Sequence, residues 1–310
     1  MSPANDPAKR WLLTEAGLVE RAAWSVPFDD RGLMLGDGLF ETIGVAAGRP
    51  MWLDAHRERL LEGLRVLGLG GGAAVEPLVR SLTDPAALHG LLAAEGLARA
   101  DAVIRVTITA GSGPRGLLRP KSVLNGTGGR GWVTAEALAG ALRPRLEAAW
   151  SLVAVAGLLP GAALAAVKHS SRLPWVLARQ VAADAGADEA LLLVHGQTAA
   201  PLAPGVESAG PESAGPAGFA VHEVGLRGVE QARVSEGTAA CLAAHNLFVV
   251  DREGLLRAPG PAQGALPGVV RGWILDLARD LGMAIDATAP VTLTDLHDAR
   301  EMFATNSLTL

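Results

Sequence analysis

The sequence predicts an α/β (α+β) protein of two domains, on three grounds. Apolar residues alternate with period two in some stretches and recur every three to four residues in others, so strands and helices are interleaved along the chain. Hydrophobic residues make up 49% and charged residues 19%, a composition that builds a packed core rather than a disordered tail. At roughly 150 residues per domain, 310 residues suit about two. The smaller domain is expected over 1–120, a connection over 121–150, and the larger domain over 151–310.

The elements follow in order. GDGLFETIGVAAGRP alternates Leu39, Glu41, Ile43 and Val45 with Phe40 and Thr42 and ends in a Gly-Arg-Pro turn, a strand entering a hairpin. LDAHRERLLEGLRVLGL places Leu53, Leu60, Leu64 and Leu67 at helical spacing, with Asp54 as N-cap and Gly68 as stop. Arg57 and Arg59 point about 200° apart on that helix, so only one can reach a given site. A second helical region is expected from Glu76 to Ala98. AVIRVTITAG then reads as a strand with Ile104, Val106 and Ile108 on one face, followed by a glycine-rich loop carrying Arg115. The apolar run 152–167 holds Gly157, Pro160 and Gly161 and falls short of the ~20 residues of a membrane span, so it reads as strand, turn and strand. Pro174 opens a helix through Ala183, and AGADEALLLV leads to a buried strand. PLAPGVESAGPESAGPAG is a low-complexity insertion at about 200–222. ARVSEGTAA and NLFVVDREGLLR read as strands, the latter with a turn at 251–254. The last helix carries Val270, Trp273, Ile274, Leu277 and Leu281 on one face.

Composition narrows the function. The formal charge is -5 with no run of Lys and Arg, which argues against nucleic acid as a partner. Cys241 is the single cysteine, and none of the seven histidines forms an HxxxH or HExxH pair, so no disulfide framework or zinc site is expected. The opening MSPANDPAKRW has no apolar core of a signal peptide, and a cytoplasmic location without a membrane partner is expected. There is no tyrosine. Only three of the 27 basic residues are lysines: Lys9, Lys121 and Lys168. Arginine serves as well for surface charge but cannot deprotonate, so a lysine retained after an apolar run is a candidate nucleophilic or basic amine. The alternative is a lysine snorkelling to the surface from a strand end. Pro267-Gly268-Val269-Val270 opens the last helix, where unpaired amides and the positive end of the helix dipole suit an anion; an ordinary Pro-Gly turn is the plain alternative.

Seven blocks in order, RGLMLGDGLFETI, HRERLLEGLRVLGL, RVTITAGSGPRGL, VKHSSRLPWVLARQVAADAGADEALLL, SEGTAA with NLFVV, ALPGVVRGWILDLARDLG and EMFATNSL, resemble the class IV (fold type IV) pyridoxal-phosphate enzymes. The resemblance implies pyridoxal 5'-phosphate as cofactor in the cleft between two domains, and a homodimer. It implies that Lys168 condenses with the cofactor aldehyde, that Arg59 of the H-x-x-R-L helix binds the phosphate together with Leu266, Gly268, Val269 and Val270, and that Glu236 faces the pyridine nitrogen. Arg115 and Arg172 are candidate partners of substrate carboxylates. Asn306 and Ser307 are placed to close the site over substrate or phosphate.

Within the family, K-H-S-S-R-L-P and F-A-T-N-S-L look most like the 4-amino-4-deoxychorismate lyases, which release pyruvate and leave p-aminobenzoate for folate synthesis. Branched-chain aminotransferases carry a tyrosine shortly after the lysine, which this chain cannot supply; a branched-chain or D-amino acid aminotransferase is the alternative. Three departures are visible. Glu236 and Asn246 are about five residues further apart than in relatives, the extra stretch being CLAAH; Ser171 replaces the lyase asparagine; and the chain stops soon after TNSL. These departures keep a non-catalytic homologue as a further alternative.

Overall fold

The computed structural model describes residues 10–69, 75–121, 128–138, 150–159, 162–194, 221–223 and 237–308. They fall into two compact units. One comprises Met1–Pro144, Val167–Ser171 and Ser307–Leu310, and the other Arg145–Ala166 and Arg172–Asn306.

The first unit is built on β1 (Trp11–Thr14), β2 (Gly17–Glu20), α1 (Arg31–Leu35), β3 (Gly38–Ala46), β4 (Arg49–Pro50), α2 (Leu53–Val66), α3 (Val75–Leu82), α4 (Pro85–Ala94), β5 (Ala102–Thr109) and β6 (Arg130–Ala137). Its strands form an antiparallel sheet in the order β2-β1-β6-β5-β3-β4. The hairpin from β3 to β4 turns at Ala47 and Gly48, both with positive φ, as a two-residue turn between right-twisted strands requires. Strand alternation sends Leu39, Ile43, Val45, Ile104, Val106, Ile108 and Val133 into a core closed by Leu60 and Leu64 of α2, Val79 and Leu82 of α3, and Leu88, Leu91 and Leu92 of α4. Phe40, Arg105 and Trp132 belong to the opposite parity.

The second unit contains β7 (Leu152–Ala156), α5 (Ala162–Ala165), α6 (Leu173–Asp184), β8 (Glu189–Val194), β9 (Val221–Glu223), β10 (Thr238–Leu242), β11 (Asn246–Val250), β12 (Leu256–Arg257), α7 (Val269–Asp280), β13 (Ile285–Asp286), β14 (Val291–Thr292), α8 (Leu293–Asp298) and β15 (Glu301–Thr305). A mixed sheet runs β14-β10-β8-β7-β9, with β7 parallel to both β8 and β9. A second sheet runs β13-β12-β11-β15. β7 and β8 are buried on both faces, by Trp175, Ala178 and Val181 on one side and Leu247, Val249 and Leu296 on the other. This is why LVAVA and ALLLV read as unbroken apolar runs.

Several expectations need correction. The stretch read as a connection over 121–150 holds β6, which sits between β1 and β5 in the first sheet. The helical region expected over 76–98 resolves into two helices, because the Asp84 side chain caps α4 at Ala87 and Pro85 cannot continue α3. The second strand expected before Lys168 is instead α5, from an alanine-rich AALA that favours helix. Asp54 is not the N-cap of α2; Trp52 is, in a left-handed conformation. In α7 the buried residues are Val270, Arg271, Leu275 and Ala278, while Trp273, Leu277 and Leu281 are exposed. That helix carries apolar residues nearly all round, so periodicity alone offered two stripes. The low-complexity insertion lies outside the described residues except for 221–222, which open β9.

Candidate active site

Lys168 belongs to a short segment running along the edge of β3 where β4 no longer pairs. Phe40 N donates to Lys168 O at 3.0 Å, Ser170 N donates to Gly38 O at 2.8 Å, and Leu39 bridges His169 antiparallel. A Cβ at Gly36 would collide with the Ser171 side chain, so the glycines of the G-D-G turn let the two segments close up. His169 is buried and opposite Leu39, whereas Lys168 and Ser170 take the other parity. The half-buried lysine carries its Nζ 4.7 Å from the Phe40 ring centroid. The Arg105 guanidinium stacks on the same ring at 3.8 Å. An amine, an aromatic face and a second cation thus meet on one side of β3.

The next residue faces the other way. Glu41 is 1% exposed on the core side of β3. It accepts from Arg59 Nε at 2.7 Å and Nη2 at 2.6 Å, and His56 Nδ1 lies 2.8 Å from its Oε2. Burial alone would raise the Glu41 pKa, but the Arg59 charge and the hydrogen bonds from His56 and Arg59 outweigh it and bring it down to about 2. The carboxylate is therefore ionised, acceptor-only, and His56 donates from Nδ1. Arg57 turns away, as the angular offset predicts, and binds Asp54 and Thr83.

A second buried carboxylate braces the same region. Asp37, in the turn before β3, takes Arg31 at 3.0 Å and Arg119 at 2.6 Å. Burial opposes its ionisation, and the two arginines more than compensate, holding its pKa below the ordinary value. Arg31 also donates to the carbonyls of Gly116, Leu117 and Leu118, which fixes the loop bearing exposed Arg115.

In the second unit, Gly268 is the N-cap of α7 with no side-chain cap, so the amides of Val269 and Val270 open the helix. Asn246, 7% exposed at the start of β11, donates from Nδ2 to Leu266 O at 2.8 Å, and its Oδ1 occupies the space a Cβ on Gly268 would need. Arg172 caps α6 and stacks on Trp175 at 3.6 Å. Asn306 donates to Ala244 O at 3.2 Å in the β10–β11 turn, which Leu242 N closes on His245 O. Much of CLAAH is absorbed here: Cys241 and Leu242 finish β10 beyond a bulge. Ser307 is half-buried and counted with the first unit. Glu236 lies outside the described residues.

The first unit thus brings Lys168 and Arg59 to adjacent residues of one strand, and the second sets Asn246 against Leu266 and Gly268, next to Val269 and Val270 at the start of α7. Arg115 is exposed on its loop, and Arg172 lies in the second unit against Trp175. Sequence reasoning missed Phe40, Glu41, His56 and Arg105 as members of the site. Glu41 did leave a signal, a charge at a core-facing position of an alternating strand.

These residues fit a phosphorylated aromatic aldehyde. In the second unit the first-turn amides of α7, which no side chain caps, can bind an oxyanion, and in the first unit a half-buried amine is held against an aromatic ring. The family model "Amino-transferase class IV" matches residues 38–199 and 229–310. A Methanocaldococcus jannaschii protein provisionally named as a branched-chain-amino-acid aminotransferase is 28% identical over 90% of this chain and 77% of its own length. Among solved structures, the PLP-bound form of a hypothetical aminotransferase from Mycobacterium tuberculosis matches with a TM-score of 0.69, 17% identity and coverage of 97% of this chain and 88% of that one. A 4-amino-4-deoxychorismate lyase from Pseudomonas aeruginosa matches with a TM-score of 0.62, 26% identity and coverage of 92% and 84%. The chain belongs to the class IV aminotransferase family and is a pyridoxal-phosphate-dependent enzyme with the α/β fold of fold type IV.

Proposed function

We propose that the protein is a 4-amino-4-deoxychorismate lyase, with Lys168 as the catalytic amine. The observation that carries this reading is the segment after the lysine, His169-Ser170-Ser171-Arg172, in a chain with no tyrosine. The phenol that branched-chain aminotransferases place there has no counterpart, and proton movement falls to the lysine itself. Bound pyridoxal phosphate supplies a ring that accepts electrons from the substrate.

In this reading Arg59 and the first-turn amides of α7 hold the phosphate, with charge assistance from the guanidinium. With its amine available as a base, Lys168 would take the proton from the substrate ring as the ring's C–O bond to the enolpyruvyl group breaks. That proton returns to the departing enolpyruvyl carbon, so pyruvate and p-aminobenzoate form with no further reactant. Phe40 supports the amine on one face, and Arg105 on the same ring offers a cation to a substrate carboxylate. Glu236 against the pyridine nitrogen and Asn306 and Ser307 at the closure of the site complete the assignment, in a homodimer.

The M. jannaschii relative favours a second reading, an aminotransferase. Incubation of purified protein with aminodeoxychorismate, and separately with branched-chain and D-amino acids plus 2-oxoglutarate, tests both. Pyruvate and p-aminobenzoate appearing together support the lyase. Amino-group exchange alone overturns it, and no turnover of either kind points to a non-catalytic homologue.

A further inference from the structure

We infer that His56 and Glu41 are positioning residues for the cofactor phosphate, acting through Arg59. This rests on the assignment of Arg59 as phosphate anchor made above. His56 and Arg59 are three residues apart on α2, on one helix face, and both reach a carboxylate delivered from β3. The position of Glu41 is one that packing alone would give to an apolar residue, since its neighbours at the same parity, Leu39 and Ile43, are core. A buried ion pair is on average no more stabilising than an apolar replacement of similar volume. What it does supply is geometry. The two parallel bonds from Nε and Nη2 fix the plane of the guanidinium and turn its end-on edge, Nη1 with the second N–H of Nη2, away from Glu41. The bond from His56 Nδ1 to Oε2 stops the carboxylate from rotating under that fork. Nε2 of His56 is buried and has no hydrogen-bond partner among the described residues, so Glu41 is the contact that orients the ring.

The test is the preference of the apoprotein for pyridoxal phosphate over pyridoxal, which lacks the phosphate, measured as the ratio of the two dissociation constants. Glu41→Gln offers two amide hydrogens to groups that need an acceptor and is expected to reduce the ratio by about tenfold, the scale on which supporting residues act. His56→Leu is expected to reduce it severalfold, and His56→Asn, whose amide nitrogen can stand in for Nδ1, to restore it. Arg59→Gln separates the two claims. If it leaves the ratio unchanged, Arg59 is not the anchor. If it lowers the ratio while Glu41→Gln and His56→Leu do not, the anchor stands and the positioning role is overturned. Equal weakening for both ligands also overturns it, as the effect would then be structural. Should Glu41→Gln fail to fold, the His56 pair decides alone.

Discussion

Phe40 and Glu41 are consecutive residues of β3 that hold two proposed cofactor groups in opposite ways. On the Phe40 side the lysine amine and the Arg105 guanidinium rest on an aromatic face, contacts worth about 0.5–1 kcal/mol each where solvent reaches. On the Glu41 side the guanidinium of Arg59 is clamped by charge-assisted bonds of 2.6 and 2.7 Å in the core. A strand alternates its faces residue by residue, so two such environments can lie one residue apart. The difference suits the two tasks: an amine that must leave one bond and accept a proton is held loosely, whereas a charge that must aim a phosphate is held rigidly.

The largest expected effect falls on the loosely held side. Lys168→Ala is expected to lower turnover by about 10⁴-fold, the upper range for removal of an acid–base group. The peptide containing residue 168 should also lose its label after borohydride treatment of the holoprotein. Turnover or labelling that survives the substitution would move the chemistry off the Phe40 face and break the contrast.

The rigid side has a pH signature. Glu41 titrates near 4.5 when unfolded and at about 2 in the fold, so the folded state favours the ionised form. Its stabilisation is present above pH 4.5 and fades as pH falls through about 2. At 1.36 kcal/mol per unit this amounts to about 3 kcal/mol. Unfolding free energies measured by denaturant between pH 5 and pH 2.5 should fall more steeply in the wild type than in Glu41→Gln. Parallel profiles would mean that the ion pair is no tighter than a surface one.

The two sides also differed in how far the sequence revealed them. Lys168 stood out because lysine is nearly absent; the angular offset showed only that Arg57 and Arg59 cannot share a site, and it was the resemblance of the H-x-x-R-L helix that singled out Arg59. Leu39, Ile43 and Val45 could be assigned to the core from alternation alone. The pairing of Glu41 with Arg59 could not, because the partners lie 18 residues apart and meet only when α2 packs on β3. Arg105 gave no local sign of stacking on Phe40, a contact made across neighbouring strands. The Asp84-Pro85 break within the helical region was readable as a capping residue followed by a proline. β6 was hidden by the glycines at its start, Gly128, Gly129 and Gly131, which weaken any strand signal. Around Gly268 the helix start was legible, but the need for Asn246 beneath it was not.

A smaller effect is expected from Arg105→Gln, which removes the second cation from the Phe40 ring. A hydrogen bond to a charged group contributes about 1.5–3 kcal/mol, so the KM for a carboxylate substrate should rise about tenfold or more while the dissociation constant for pyridoxal phosphate stays constant. A change in cofactor affinity instead would place Arg105 with the phosphate and merge the two sides.

The smallest effect gives the sharpest test of the contrast. Phe40 is 6% exposed, and Phe40→Leu keeps an apolar side chain of similar bulk, so stability should change by less than about 1.5 kcal/mol. What the substitution removes is the ring quadrupole beneath the amine and the guanidinium. Losing 0.5–1 kcal/mol of attraction corresponds to a change of about two- to fivefold. It should appear in turnover, because the amine loses the surface on which it rests, and in KM through Arg105. The preference for pyridoxal phosphate over pyridoxal should not move, since Arg59 takes its orientation from the other face of the strand. If Phe40→Leu lowers that preference while leaving turnover alone, the loosely held and clamped groups are coupled through the strand, and the division of labour between its faces is wrong.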